Sequence, residues 1–204
     1  EPTGLLVGDR NTIRECVTLN RGTVQDRGVT RIGDDNWIMA YVHVAHDCVV
    51  GSNTTIANST NLGGHVEIGD WVTLGGASGV HQFCKVGAHV MTGVGSVVLH
   101  DVPPFVMVSG NTAQAHGINS EGLRRRGFSV ARINAIRRAY RVLYKDGLTL
   151  AQARTALGAG HTVLVEASTA RLASGREIMG TITIDEPVDD TLLNIYNPAG
   201  VLVR

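Results

Sequence analysis

Four histidines and one aspartate between residues 43 and 81 are the side chains best suited to chemistry. His43 and His46 are three residues apart, Asp47 follows directly, and His65 and His81 lie further along the chain. Histidine titrates near neutral pH, so it can act as a general base, and a neighbouring carboxylate can orient its ring. A His-x-x-His pair can also bind zinc. Which chemistry is available depends on whether the fold brings these side chains together.

Aliphatic residues recur every six positions through the same region. Counted in sixes from Ile32 to Val98, eleven of twelve positions are aliphatic, and Thr92 is the exception. This period fits neither a helix nor an ordinary strand. It is typical of a parallel β-helix, in which three hexads form one triangular coil of eighteen residues. The repeat predicts three internal columns: Ile32-Val50-Ile68-Val86, Ile38-Ile56-Leu74-Thr92 and Val44-Leu62-Val80-Val98.

The eighteen-residue coil also predicts which polar residues stack outside these columns. Asp47 is expected next to His65, and His46 next to Gly64, which has no side chain to crowd the imidazole. His46 is therefore the candidate general base, and the Gly64 N–H is the candidate donor to a developing oxyanion.

The same histidines also fit two other interpretations, ordinary surface residues and a zinc site. A single histidine on such a repeat is most often an ordinary surface residue. A zinc site would need a further ligand, and His65 is the one with suitable placement, because Cys48 is expected to point inward. The clustering of four histidines with Asp47 favours base catalysis without a metal or another cofactor.

Composition limits the possible functions. Lys plus Arg and Asp plus Glu both number 18, so no net charge favours nucleic acid or a membrane surface. The 25 glycines and 4% aromatic residues suit a narrow β-helix with small residues at its corners. The three cysteines, Cys16, Cys48 and Cys84, have no CxxC spacing, which predicts reduced thiols in a cytoplasmic protein. The sequence shows no signal peptide and no apolar run of transmembrane length.

The repeat is expected to include Val7, Ile13 and Leu19, and then to be interrupted by a polar loop at 21–28. Three helices are predicted after the β-helix: one capped by Ser120 and ended by Gly127, one capped by Ser129 and ended by Asp146-Gly147, and one capped by Thr149 that runs from Leu150 to about Leu157. Beyond these, 161–166 and 178–184 resemble strands, with a turn at 185–187. We therefore divide the chain into a β-helix at 1–104, a crossing segment with a helical C-terminal domain at 105–157, and an atypical tail at 158–204.

Several strings in this sequence resemble the UDP-N-acetylglucosamine O-acyltransferases of lipid A biosynthesis, a family of hexapeptide-repeat enzymes. They are Ala45-His46-Asp47-Cys48, Gly64-His65-Val66, Val80-His81-Gln82-Phe83-Cys84, Gly87-Ala88-His89-Val90-Met91, Asp101-Val102-Pro103-Pro104 and the segment from Gly117 to Phe128. The resemblance covers roughly residues 1–157. It implies a left-handed β-helix, a homotrimer with active sites between neighbouring subunits, and transfer of an R-3-hydroxyacyl chain from acyl carrier protein to the 3-hydroxyl of UDP-N-acetylglucosamine.

The resemblance also implies roles for individual residues. His46 is the base, with Asp47 beside it, and Gly64 supplies the oxyanion donor. Residues implied to bind the nucleotide sugar or line its cleft are His43, His65, His81, Gln82, Asn119, Glu121, Arg125 and Arg126. Val94 is implied to set the length of the acyl chain, with a medium length of about ten carbons expected from the volume of its side chain. The run 124–126 is basic, which suits docking of an acidic carrier protein.

The sequence departs from the family at both ends. Further N-terminal coils and a loop with acidic and basic substrate contacts are missing before Glu1, so we expect a fragment, and the tail after residue 157 is strand-like where the family is helical. Two alternatives follow: another hexapeptide-repeat acyltransferase, against which the string from Asn119 to Phe128 argues, or an inactive β-helical scaffold.

Overall fold

The computed structural model describes residues 2–158 continuously and, beyond them, only short strands between 162 and 203. Seventeen strands precede the first helix: β1 Gly4–Val7, β2 Thr12–Ile13, β3 Thr18–Leu19, β4 Val29–Ile32, β5 Trp37–Ile38, β6 His43–Val44, β7 Val49–Val50, β8 Thr55–Ile56, β9 Asn61–Leu62, β10 Glu67–Ile68, β11 Thr73–Leu74, β12 Gly79–Val80, β13 Lys85–Val86, β14 Met91–Thr92, β15 Val97–Val98, β16 Val106–Ser109 and β17 Gln114–Ile118. They form three sheets, ordered β1-β4-β7-β10-β13 (sheet one), β17-β16-β14-β11-β8-β5-β2 (sheet two) and β15-β12-β9-β6-β3 (sheet three).

The strand register confirms the predicted parallel β-helix. Ile32 pairs with Val50, and the other two sides of the coil pair in the same way, eighteen residues apart. The first coil is different, because Val7 pairs with Ile32 at an offset of 25 residues. The loop 21–28 accounts for the difference, since it inserts extra residues between two strands without disturbing the sheets.

The inward-facing columns form the core. All twelve predicted column residues from Ile32 to Val98 are buried, and full burial of a Val, Leu or Ile side chain contributes about 1.5–3 kcal/mol. Thr92 breaks the aliphatic series at no cost in hydrogen bonding, because its hydroxyl accepts from Gly75 N at 2.8 Å and lies 3.1 Å from the Ser78 hydroxyl.

The coil turns at three corners, one between each pair of sheets. Sheets three and one meet at 45–48, 63–66 and 81–84 (the histidine corner), sheets one and two at 33–36, 51–54, 69–72 and 87–90 (the aromatic corner), and sheets two and three at 39–42, 57–60, 75–78 and 93–96 (the third corner). One residue at each turn has positive φ, including Asp47 (58°), His65 (62°) and Phe83 (67°). Because these three occupy the same turn position, their side chains stack from coil to coil.

Residues 101–128 complete the β-helix unit. β16 continues sheet two beside β14, and β17 returns antiparallel to it. Helix α1, Ser120–Arg125, then begins at a cap that differs from the prediction: the Asn119 side chain, rather than that of Ser120, accepts a hydrogen bond from Gly122 N at 3.1 Å. Asn119 is a better cap than Ser120 because its side-chain amide can also donate a hydrogen bond, to His89 O at 3.0 Å.

The chain divides into two compact units, 1–128 and 129–204. The segment that we assigned to a helical domain is thus shared between them. In the second unit, the predicted Ser129 cap is present, since its hydroxyl accepts from Arg132 N at 3.2 Å and starts helix α2, Val130–Tyr144. Helix α3, Leu150–Gly158, follows Thr149, whose hydroxyl accepts from Gln152 N at 3.3 Å.

The described strands of the tail form three antiparallel pairs: β18 Thr162–Leu164 with β21 Thr183–Asp185, β19 Ala170–Arg171 with β20 Glu177–Ile178, and β22 Ile195–Tyr196 with β23 Leu202–Val203. These strands agree with the expected strand-like character of 161–166 and 178–184. The predicted turn after Asp185 lies outside the described residues. Among the helices that are described, none is long and apolar enough to span a bilayer.

Candidate active site

His46 and Asp47 form the centre of the histidine corner. His46 Nδ1 lies 3.0 Å from Asp47 Oδ2, and the Asp47 side chain is completely buried while that of His46 is 41% exposed. Thr23, from the loop 21–28, secures the carboxylate: its N–H donates to both oxygens at 3.0 Å and its hydroxyl donates to Oδ2 at 2.6 Å. The Asp47 N–H in turn donates to the Thr30 hydroxyl at 2.8 Å.

These contacts determine the charge of Asp47. Burial by itself raises the pKa of the carboxyl, but the hydrogen bonds from the Thr23 hydroxyl and N–H and from His46 outweigh it, so the pKa of Asp47 lies below its ordinary value. An ionised Asp47 keeps the His46 proton on Nδ1. The other ring nitrogen, Nε2, is then free to accept a proton, which is the arrangement that a general base requires.

Gly64 lies directly against the His46 ring. A Cβ at this position would be 2.8 Å from His46 Cε1 and 2.9 Å from Nε2, so only glycine leaves the imidazole in place. Among the described residues, none accepts a hydrogen bond from the Gly64 N–H, although the Gly64 carbonyl accepts from Phe83 N at 3.0 Å. A buried N–H beside the base is a suitable donor for an oxyanion.

His65 joins the same cluster through its ring. Its Nδ1 lies 2.7 Å from Asp26 Oδ2, its ring is perpendicular to the His46 ring with 5.0 Å between centroids, and its face stacks on Phe83 at 4.4 Å. Side-chain atoms of Asp47 and His65 lie within 4.8 Å of each other, which agrees with the predicted stacking of these two residues. The contact with Asp26 was not predicted.

The other predicted residues of this region lie around the cluster. His43 faces outward on sheet three, with Nδ1 2.7 Å from the Thr18 hydroxyl. His81 and Gln82 are exposed at the histidine corner in the following coil, and His81 Nδ1 lies 3.1 Å from the Gln82 carbonyl. The role of His43, His81 and Gln82 in substrate binding stays a prediction.

The predicted residues after Asn119 lie at a different corner. The Asn119 amide is buried and engaged with His89 and Gly122, so its visible role is to position α1. Arg126 packs with it at the aromatic corner, where Nη1 lies 3.2 Å from His89 Nδ1 and the guanidinium lies 5.4 Å above the Trp71 ring. Burial lowers the pKa of Arg126 from its ordinary value, which still leaves it a cation.

Glu121 and Arg125 are on the exposed side of α1. Arg125 Nε lies 2.9 Å from Glu121 Oε1, and Arg124 pairs with the other oxygen of the same carboxylate. Val94 lies at the third corner and is 82% exposed. A single chain thus distributes the predicted site residues over three corners: one group lies around His46, a second lies on and beside α1, and Val94 lies apart from both.

Metal binding is the alternative chemistry for the histidine corner. His46, Asp47 and His65 each offer a ligand atom, and these atoms lie within 4.8 Å of one another. However, the Asp47 carboxylate already accepts hydrogen bonds from Thr23 and His46, and the Nδ1 atom of His65 is engaged by Asp26. The three groups therefore fit an oriented base better than a ligand set.

Thr23, Asp26 and Thr30 contact the cluster but were absent from the predicted site. A signal for the first two exists in the sequence. The loop 21–28 leaves sheet three after β3 and enters sheet one at β4, so it must emerge at the corner that holds His46.

Comparison with known proteins identifies the family. Residues 101–182 match the sequence model described as UDP-N-acetylglucosamine O-acyltransferase, domain 2, and residues 30–64 match the bacterial transferase hexapeptide model. The first match extends into the tail that we considered atypical.

Individual relatives agree with the family models. The chain is 65% identical over 157 residues to the acyl-[acyl-carrier-protein]–UDP-N-acetylglucosamine O-acyltransferase of Thiobacillus denitrificans, a match that covers 77% of this chain and 61% of that protein. A Burkholderia mallei protein of the same name is 60% identical, with 77% and 60% covered.

Solved structures give the same result for the fold. The Acinetobacter baumannii LpxA structure has a TM-score of 0.76 at 49% identity, covering 78% of this chain and 62% of that one. The Moraxella catarrhalis UDP-N-acetylglucosamine O-acyltransferase has a TM-score of 0.75 at 50% identity, covering 77% and 61%. The chain spans about three fifths of the length of these relatives. By sequence and by fold, this chain belongs to the UDP-N-acetylglucosamine O-acyltransferase family.

Proposed function

We propose that the protein containing this chain transfers an R-3-hydroxyacyl group from acyl carrier protein to the 3-hydroxyl of UDP-N-acetylglucosamine, the first step of lipid A biosynthesis. The observation that carries the proposal is the His46 site: a ring oriented by a buried, ionised Asp47 and packed against the bare backbone of Gly64. Acyl transfer to a hydroxyl needs a base and an oxyanion donor, and the placement of His46 and of the Gly64 N–H supports assigning these roles to them.

In the proposed mechanism, His46 Nε2 takes the proton of the sugar 3-hydroxyl as its oxygen attacks the thioester carbonyl. The carbonyl oxygen becomes negative and accepts a hydrogen bond from the Gly64 N–H. When the C–S bond breaks, the thiol of the carrier's prosthetic arm leaves with the proton from His46, so the base is regenerated. Asp47 stabilises the transient imidazolium. None of these steps requires a metal ion or another cofactor.

Substrate binding is assigned to residues around this centre. The first group lies at and around the histidine corner: His43, His65, His81 and Gln82. The second group is presented by α1, which Asn119 positions: Glu121, Arg125 and Arg126. We assign the sugar to the first group and the diphosphate, together with the acidic carrier protein, to the arginines, because guanidinium groups pair well with phosphate and carboxylate.

We propose a homotrimer, and the distribution of these groups supports it. In one chain, His46 lies at the histidine corner, whereas α1 packs at the aromatic corner. A three-fold arrangement of parallel β-helices would put one subunit's histidine corner beside a neighbour's α1, which completes the site. Light scattering of the full-length protein should therefore give three times the monomer mass, and a fully active monomer would rule out this shared site.

The setting of the protein is proposed to be the cytoplasm, where acyl carrier protein is available. Cys16, Cys48 and Cys84 are free thiols, which fits a reducing compartment. Cys48 and Cys84 are buried, and burial raises the pKa of each thiol to about 11.

The test is mass spectrometry of UDP-N-acetylglucosamine incubated with hydroxyacyl carrier protein and the full-length enzyme, with the His46→Ala variant as control. The expected result is a mass increase of the sugar nucleotide by one hydroxyacyl group, absent in the control. Acylation of an amino sugar or use of acetyl-CoA would instead establish another hexapeptide acyltransferase, and the absence of any transfer would favour a scaffold.

A further inference from the structure

The His65 ring is held on several sides by groups of different character. Phe83 stacks on its face with an angle of 7° between the planes, and His46 meets it edge-on at 89°. These two contacts fix where the ring lies, but neither specifies which nitrogen carries the proton. Asp26 is the group that can, because its Oδ2 lies 2.7 Å from His65 Nδ1.

Asp26 is brought to His65 by a loop with its own anchors. Gly22 N donates to Gly4 O at 2.9 Å, and Gly4 N donates to Gly28 O at 2.8 Å, which ties both ends of the loop 21–28 to β1. Between them, Thr23 donates three hydrogen bonds to Asp47. The loop is therefore secured to the β-helix without the help of Asp26.

A second pair secures the far end of the loop. Arg27 pairs with Glu67 on β10, and Glu67 also lies 3.3 Å from Lys85 Nζ. The Arg27–Glu67 pair is thus a contact of the same loop that is about as exposed as the Asp26–His65 pair and does not involve His65. The side chains of Asp26 and Arg27 are 39% and 47% exposed, so either can be replaced without leaving a cavity in the core.

We propose that Asp26 is a positioning residue that fixes the tautomer of His65. An ionised carboxylate can accept hydrogen bonds but cannot donate them. Asp26 therefore requires the His65 proton on Nδ1 and leaves Nε2 as the acceptor nitrogen. His46 is oriented in the same way by Asp47. The corner therefore contains two His–Asp pairs, one that provides the base and one that presents an acceptor to a hydroxyl of the bound ligand.

The tautomer assignment stands on geometry alone, whereas the identity of the ligand, the sugar nucleotide, rests on the proposed function. The two are tested separately. First, long-range ¹H–¹⁵N spectra of the ¹⁵N-histidine-labelled chain report the tautomer of each ring without any substrate, with the His65→Gln variant used to assign the His65 signals.

We expect the Nδ1–H form of His65 in the parent. Asp26→Ala should shift His65 toward the Nε2–H form, and Asp26→Asn, whose amide can donate to Nδ1, should do so more completely. Arg27→Ala is the matched control, because it releases a contact of the same loop and should leave the His65 signals unchanged. An Nε2–H form in the parent, or equal effects of Asp26→Ala and Arg27→Ala, would overturn the proposal.

Second, kinetics of the full-length enzyme show whether the tautomer matters for binding. Asp26→Asn should raise KM for UDP-N-acetylglucosamine roughly fivefold to tenfold, as expected for one misaligned hydrogen bond to a polar ligand group, with kcat nearly unchanged. A loss confined to kcat would contradict the assigned role of Asp26. A parent enzyme without activity on this sugar would refute the proposed function and leave the spectroscopic result to decide the tautomer.

Discussion

Replacement of Gly64 by alanine tests the His46 site with the smallest possible change. The added methyl would lie 2.8 Å from His46 Cε1 and 2.9 Å from Nε2, whereas carbon atoms in ordinary contact are about 3.5–4.0 Å apart. The ring must therefore move by roughly an ångström or rotate. Either movement disturbs the 3.0 Å contact with Asp47.

We expect Gly64→Ala to lower kcat by about a hundredfold, the loss that follows from an ångström of misplacement at a reacting group. KM for the sugar nucleotide should change little, because the variant displaces the base. The control is Gly4→Ala, whose methyl would meet only Val29 Cγ2 at 3.9 Å and should leave both constants unchanged. Steady-state kinetics with thermal unfolding of each variant is the assay. A folded Gly64→Ala enzyme with the parent kcat would refute the idea that His46 must stay where it is.

Four further outcomes are expected. His46→Ala should keep the fold while reducing kcat by about two to four orders of magnitude in the same assay, as for the loss of a general base. Dialysis against a strong chelator should leave activity unchanged, and activity lost and then restored by zinc would revive the metal alternative. Val94→Gly should shift acyl selectivity toward longer chains in competition between carrier-protein thioesters, by a few-fold to about tenfold per methylene; an unchanged profile would remove Val94 from the acyl groove. The pKa of Asp47 is lower in the folded than in the unfolded protein, so its contribution to the free energy of unfolding is present above about pH 4 and lost on acidification. In Asp47→Asn, the free energy of unfolding measured with urea should therefore decrease less steeply as the pH is lowered.

The fold and the centre of the site could be predicted because the repeat fixes the register. Once three hexads make a coil, each residue's neighbours in the adjacent coils are determined, and this correctly placed Asp47 beside His65 and Gly64 beside His46. The same reasoning explains why Thr92 is buried despite its hydroxyl.

The contacts of the loop 21–28 could not be predicted in this way. An insertion interrupts the period, and the repeat then says where the loop leaves the β-helix but nothing about how it folds back. Asp26 and His65 are 39 residues apart, and Thr23 reaches Asp47 across 24. The helix cap was wrong for a related reason: Asn119 replaces Ser120 because it also binds a carbonyl of the β-helix, a tertiary contact invisible to local capping rules.

The two groups of site residues are each ordered by contacts within one chain. His46 is oriented by Asp47, which Thr23 secures, and α1 is set by the buried amide of Asn119. Assembly of the proposed trimer would then join preformed parts, so little side-chain ordering remains for the moment of substrate binding. Catalytic geometry would depend on local contacts within each chain, and completeness of the site on the interface between chains.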